Sequence, residues 1–297
     1  MTTRRSVIQG MAAAAGLAAV MPAWAHAPRA AFLARMDALE ARHGGRLGVS
    51  VRDTTGRLAV SHRGDDRFLL CSTVKLPLAA LILSRVDAGH ESLERPIDYA
   101  EADLVTYSPE TEQHVATGMT LGAICRAGLT QSDNTAANLM FDAVGGPPAL
   151  TDFIRSLGDT TTRSNRLETA LNEPTPDARD TTTPRAMRAL MTKILLGDVL
   201  SPAARDRLLS WMKANQTGDQ RLRAGLPSAW PIGDKTGSGG NNTAADIAIA
   251  HPAPAHAIVI SAYYADSSAS RDARDQVLAD VGRAVADLYQ TGRDRHG

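Results

Sequence analysis

Between residues 30 and 43 apolar side chains recur at helical spacing, and Phe32, Leu33, Met36 and Leu39 predict an amphipathic helix. The rhythm then changes. Residues 47–52 and 58–61 read as short strands joined by the turn-forming Asp53-Thr54-Thr55-Gly56. An almost unbroken apolar run, Leu76, Leu78, Ala79, Ala80, Leu81, Ile82 and Leu83, predicts a helix that ends near Gly89. Pro77 lies early in it, so a slight kink or a tightened first turn is expected. Residues 96–118 are irregular and polar. Helical periodicity returns at Leu121, pauses at Gln131-Ser132-Asp133-Asn134 and resumes to Val144, where Gly145-Gly146-Pro147-Pro148 stops it. A further helix runs to about Leu157.

Residues 158–183 have little periodicity and many Thr, Asp, Asn and Pro. A segment of that length without regular structure, inside a compact domain, marks function or disorder. Two helices follow, 184–196 and 202–214, then strand-like runs at 230–236, 245–250 and 257–264. The closing helix carries Val277, Val281, Val285 and Leu288 on one stripe. The order is helix, two strands, a helical block, three strands, helix. It predicts an α/β chain of the α+β type, with a five-stranded antiparallel sheet flanked by the terminal helices on one face. The helical block forms an all-helical subdomain at about 71–214, and the α/β part covers about 28–70 and 215–292. A binding cleft is expected where the two meet.

Composition narrows the function classes. The chain has 297 residues, 43% hydrophobic and 22% charged, as a soluble globular protein should. Formal net charge is zero, which argues against nucleic acid or an anionic surface as partner. Residues 1–25 stand apart from the single domain expected over 26–297. Arg4-Arg5, a small-residue apolar stretch from Met11 to Val20, and Ala23-Trp24-Ala25 give the pattern of an export signal, with cleavage expected after Ala25. The paired arginines fit the twin-arginine route, so a periplasmic or secreted protein is expected, with no membrane association once the signal is removed. Export permits a bridge between Cys71 and Cys125, but two free, buried thiols are the expectation. The eight histidines show no ligand spacing with Cys or carboxylates, and neither metal nor cofactor is expected. His90 and His114 read as surface residues.

The candidate chemistry begins at Ser72-Thr73-Val74-Lys75. If Ser72 opens the helix, its hydroxyl and the Lys75 amine lie one above the other at an N-terminus that favours negative charge. A serine so placed is a candidate activated nucleophile. Alone, the tetrad also fits a capped helix with a solvated lysine. Ser132-Asp133-Asn134 lies 60 residues further on, and Lys235-Thr236-Gly237, leading into Ser238-Gly239-Gly240, lies 103 beyond that. The set S-x-x-K, S-D-N and K-T-G occurs in order in class A β-lactamases and penicillin-binding proteins. With Glu168-Thr169-Ala170-Leu171-Asn172 in the long loop, the chain resembles the class A serine β-lactamases over roughly residues 30–289.

The resemblance implies a role for each residue. Ser72 is the nucleophile, and either Lys75 or Glu168, acting through a water, is its base. Ser132 relays a proton to the leaving nitrogen, while Glu168 activates the deacylating water that Asn172 helps to hold. Backbone N–H groups of Ser72 and Ser238 form the oxyanion hole. Lys235 and Thr236, followed by Gly237 and Ser238, face the substrate carboxylate, Asn134 faces the acyl-amide, and Tyr107 is an aromatic gate. Arg166 and Asp180 pair to hold the loop, which is a residue shorter than its commoner form. No arginine occupies Asn242-Thr243-Ala244-Ala245-Asp246, so Arg221 is assigned the carboxylate charge, with Arg271 or Arg274 as substitutes. Cys125 has no cysteine partner on the nucleophile helix, where Ala79 stands. The expected activity is hydrolysis of penicillins and cephalosporins, with some action on oxyimino-cephalosporins, by a monomer. Two rivals share the nucleophile: a D,D-peptidase, against which the Glu168 loop argues, and a sensor domain that stays acylated.

Overall fold

A computed structural model describes residues 23–294; its main elements follow the predicted order, but the block at about 71–214 is not all-helical, since paired two-residue strands lie within it. Helix α1 (Ala23–His43) leads to β1 (Arg46–Asp53) and β2 (Ala59–His62). Strand β3 (Phe68–Leu69) precedes a 3-10 turn, Cys71–Val74, which runs into α2 (Lys75–Asp87). Strands β4 (Pro96–Ile97) and β5 (Met119–Thr120) make a small ribbon before α3 (Leu121–Thr130), α4 (Asn134–Val144) and α5 (Gly146–Ser156). The long loop contains one 3-10 turn, Ala170–Asn172, and ends in β6 (Thr181–Thr182), which pairs with β3. Next come α6 (Pro184–Leu196), α7 (Pro202–Lys213) and the short α8 (Leu222–Gly225). Strands β7 (Ile232–Gly239), β8 (Thr243–Ala253) and β9 (His256–Ala265) precede α9 (Arg271–Asp294).

The main sheet is antiparallel throughout, in the order β2-β1-β9-β8-β7. Its two faces divide the core by strand alternation. On one side Ala248, Ala250, Ile258, Ile260 and Tyr264 pack with Phe32 and Met36 of α1 and Val277, Val281 and Val285 of α9. On the other, Ile247, Ile249, Val259 and Tyr263 pack under the helical block with Leu76, Met187 and Leu190. Each fully buried Ile, Val or Leu contributes roughly 1.5–3 kcal/mol. Both faces being covered explains why β8 and β9 read as nearly continuous apolar runs.

Local chemistry sets the helix ends. Asp133, Thr183 and Ser201 each accept a hydrogen bond from the N–H three residues on, capping α4, α6 and α7. Gly145 ends α4 at φ +92°, a conformation that favours glycine. Pro77 falls in the first turn of α2, just after the 3-10 segment, so the first turn is the tightened one.

Some limits differ from expectation. Helix α1 begins at Ala23 instead of 30, and β7 begins at Ile232 because Pro231 has no N–H for the ladder. Strands β7 and β8 each run past their apolar runs, to Gly239 and Ala253, where hairpin pairing continues beyond them. His114 is half-buried instead of lying on the surface, whereas His90 is exposed. Of the export signal expected over residues 1–25, residues 1–22 lie outside the described residues; cleavage after Ala25 would cut within the first turn of α1. Cys71 and Cys125 are free and buried, and burial raises both thiols well above their ordinary range. Among the described residues no helix is long and apolar enough to cross a membrane.

Candidate active site

The three motifs and the loop converge. Lys75 Nζ donates to Ser72 Oγ at 2.9 Å, to the Ser132 carbonyl at 2.8 Å and to Asn134 Oδ1 at 2.7 Å. It also lies 3.1 Å from Glu168 Oε1, to which Ser72 Oγ donates at 3.3 Å. Asn172 Nδ2 donates to the other Glu168 oxygen at 2.5 Å. Lys235 Nζ donates to Ser132 Oγ at 2.9 Å. The Ser72 hydroxyl, one carboxylate and two lysine amines therefore share a single buried network.

Each group is delivered by its own element. The 3-10 turn places Ser72 one turn before Lys75 at the head of α2. Ser132 sits between α3 and α4 at φ +61°, a costly conformation for serine that turns its hydroxyl and carbonyl toward the two lysines. Asp133 is fully buried and accepts from the N–H groups of Glu110 and Thr111 as well as from its own helix. Asn134 donates to the Thr106 carbonyl through its amide and to the Tyr107 carbonyl through its backbone N–H. The S-D-N triplet thus fixes the Tyr107 loop as well as Lys75. Tyr107 is 55% exposed at the rim, with φ +68°.

Gly237 lets β7 come against the nucleophile turn: a Cβ there would lie 3.0 Å from Cys71 Cβ and 3.3 Å from the Ser72 nitrogen. The resulting cleft, about 320 Å³, is lined by Ser72, Tyr107, Ser132, Asn134, Asn172, Thr236, Gly237 and Ser238. Lys235 is wholly buried beneath it. Arg221, Arg271 and Arg274 also line the cleft. Arg221 is nearly buried, and four of its N–H groups are engaged, by Asp275, the Gly237 and Ala245 carbonyls, and Ser238 Oγ. One guanidinium N–H of five remains.

Burial lowers the Lys75 ammonium, against the opposing pull of Glu168. Burial, then the nearby Lys75 charge, brings Lys235 down to about 7. Behind β7, Asp234 accepts from Asn215 Nδ2 at 2.6 Å and from Arg223. Asp246, opposite Thr236 on β8, is pushed well up by burial and then by Asp234.

The loop is tied at both ends of its functional turn. Arg166 Nε donates to Asp180 Oδ2 at 2.6 Å, as expected of this pair, and Asp180 Oδ1 also accepts the N–H groups of Asn165 and Arg166. Asn138, which sequence reasoning missed, grips Glu168 itself. Its Oδ1 accepts the Glu168 N–H at 2.8 Å and its Nδ2 donates to the Glu168 carbonyl at 3.0 Å. Thr217 was missed too; its hydroxyl lies 2.5 Å from that of Thr236.

Comparison with known proteins decides the family. A sequence model described as the Beta-lactamase enzyme family matches residues 31–289. The chain belongs to the class A β-lactamases. It is 42% identical to Beta-lactamase L2 of Stenotrophomonas maltophilia over 97% of this chain and 99% of that protein. It is 40% identical to Beta-lactamase OXY-1 of Klebsiella oxytoca, covering 96% and 97% of the two chains. Among solved structures, an ancestral class A β-lactamase is 54% identical with a TM-score of 0.84, covering 86% of this β-lactamase and 98% of that chain. The putative class A β-lactamase PenP from Rhodopseudomonas palustris is 52% identical, with a TM-score of 0.84 and the same coverage.

Proposed function

We propose that this class A β-lactamase opens penicillins and cephalosporins through an acyl-enzyme on Ser72, which Glu168 then releases to water. The activity is β-lactam hydrolysis. The observation that carries the residue assignment is the position of the Glu168 carboxylate, 3.3 Å from the Ser72 hydroxyl and 3.1 Å from the Lys75 amine.

Ser72 Oγ attacks the lactam carbonyl and hands its proton to Lys75 or Glu168, both within hydrogen-bonding distance. The N–H groups of Ser72 and Ser238 receive the developing oxyanion. Ser132 protonates the departing ring nitrogen, and Lys235, already donating to Ser132 Oγ, replaces that proton. Glu168, oriented by Asn172 and ionised again once any proton taken from Ser72 has passed on, draws a proton from the incoming water and returns it to Ser72 Oγ as that oxygen leaves the acyl carbon. Thr236 and Lys235 receive the substrate carboxylate, Arg221 completes that charge from behind β7, Asn134 meets the acyl-amide, and Tyr107 flanks the entrance. Spectrum extends to some oxyimino-cephalosporins. The enzyme works as a monomer, one domain over residues 26–297, after export by the twin-arginine route.

The test is mass spectrometry of the mature protein incubated with benzylpenicillin. Ser72→Ala should take no label, whereas Glu168→Ala should label and accumulate acyl-enzyme. Turnover by Glu168→Ala at the parent rate would overturn the deacylation role. A stable acyl adduct on the unmodified enzyme would favour the D,D-peptidase or sensor readings instead.

A further inference from the structure

Where α6 lies against β1, three arginines gather outside the catalytic cleft. Arg52 projects from the same face of β1 as Ser50, two residues before it, and Arg185 and Arg188 are one turn apart on α6. Arg188 Nε donates to Ser50 Oγ at 3.1 Å, and Ser50 Oγ lies 3.0 Å from Ser61 Oγ. Ser61, Ser50 and Ser261 form one cross-strand row over β2, β1 and β9. Ser261 Oγ is buried without a hydrogen-bond partner. Gly64 lets the chain pass close beside them: a Cβ there would lie 2.8 Å from Ser61 Cβ, 3.2 Å from Arg185 Nη2 and 3.3 Å from Ser61 Oγ.

The charges do not balance. Arg185 is paired with Asp65 at 2.9 and 3.1 Å. Among the described residues neither Arg52 nor Arg188 has a carboxylate partner, and the one hydrogen bond of the half-buried Arg188 guanidinium is to a neutral hydroxyl. Burial, then the like charges of Arg52 and Arg185, weigh against its proton. A partly desolvated cation beside two others is expensive unless an anion compensates it. Guanidinium groups present N–H pairs at the spacing of phosphate oxygens, and serine hydroxyls add single donors.

We propose that Arg52, Arg185 and Arg188, with the Ser50 and Ser61 hydroxyls, bind a small doubly charged oxyanion of the phosphate or sulfate type. The bound anion bridges α6 to β1 and β2 and so stabilises the native fold. Nothing in the hydrolytic reaction requires it, so its presence or absence is separable from the active-site assignments.

The experiment compares thermal unfolding of the mature enzyme in phosphate and in chloride at matched ionic strength, for the parent, Arg188→Gln and Arg57→Gln. Arg57 is exposed on the β1–β2 turn and serves as the control. Phosphate strengthens most folds by exclusion from their surfaces, so the difference between variants decides. The parent and Arg57→Gln should show a saturable rise of about 5–10 °C at phosphate near 100 times its dissociation constant. Arg188→Gln should keep only the unsaturable part. Parallel rises in all three would overturn the site, as would titration calorimetry of phosphate into the parent that gives no saturable heat. If Arg188→Gln does not fold, the exposed Arg52→Gln replaces it, with an expected loss of about tenfold in phosphate affinity.

Discussion

The side-chain amide of Asn138 holds both backbone polar groups of Glu168, accepting its N–H at 2.8 Å and donating to its carbonyl at 3.0 Å. A residue in the second turn of α4 thereby sets where the loop carboxylate stands. Asn138→Ala should leave acylation of Ser72 largely intact, since Lys75 keeps its contacts, but slow deacylation. Misplacement of a catalytic group by about 1 Å costs on the order of 10²-fold. Pre-steady-state mass spectrometry should find acyl-enzyme accumulating in Asn138→Ala. Equal losses in both half-reactions would mean that the contact acts on the whole cleft.

Lys235 titrates near neutrality because burial and Lys75 both disfavour its charge. A carboxylate-bearing β-lactam needs the ammonium form, so kcat/KM should fall as pH rises through about 7. Lys235→Arg, charged at every working pH, should move that limb upward. Stability carries the opposite sign. The native state releases this proton near 7, while the unfolded chain holds it to ~10.4, so this group's contribution to stability rises over that window. A pH profile of kcat/KM identical in Lys235→Arg would place the titration elsewhere.

Asp180 is almost fully buried and accepts three hydrogen bonds, two from backbone and one from Arg166. Asp180→Asn keeps the shape but loses the charge-assisted bonds, each worth ~1.5–3 kcal/mol. Loop opening, followed by hydrogen exchange over residues 164–180, should become faster by more than tenfold. Global unfolding should shift less, because the loop adds only Leu171 to the main core.

Most of this architecture is legible in the chain because alternation and capping are local. Thr183 and Pro184 mark the start of α6 to the residue, and the apolar stripe of α9 needs no partner to be recognised. The residues of the candidate site are legible because each motif keeps its spacing. Asn138 is not, since one polar residue inside a helix carries no pattern, and its partner lies 30 residues away in an aperiodic loop. Asp234 and Asp246 escaped for the converse reason: they stand within apolar strand runs, where their burial shows only once β7 and β8 are paired. The engaged donors of Arg221 needed the coordinates of four separate partners.

Cys71 adjoins the nucleophile, yet burial raises its thiol well above the ordinary range, with the Glu168 carboxylate adding to the shift. It is therefore a packing residue, and Cys125 is buried in the same way. Native enzyme at neutral pH should resist iodoacetamide at both positions, and denatured enzyme should take two equivalents. Labelling of Cys71 in native protein would show that the β7 edge opens, since Gly239 packs directly on its sulfur.

Arg221 ties the β7–β8 hairpin to α9, with Asp275 behind it and the Gly237 carbonyl and Ser238 hydroxyl in front. The same segment of β7 carries the Ser238 N–H assigned to the oxyanion. Loss of the clasp should therefore lower kcat, whereas loss of the single remaining N–H aimed at a carboxylate should raise KM. Arg221→Ala removes both and should reduce kcat/KM by at least tenfold, because deleting one oxyanion donor outright costs ~10²–10³. Arg221→Lys preserves the charge but cannot span four acceptors, so it should recover KM without recovering kcat. Arg271→Ala, at an exposed position on the cleft wall, should change neither by more than about twofold. A KM effect confined to Arg271→Ala would move the carboxylate contact to α9 and leave Arg221 as a purely structural clasp.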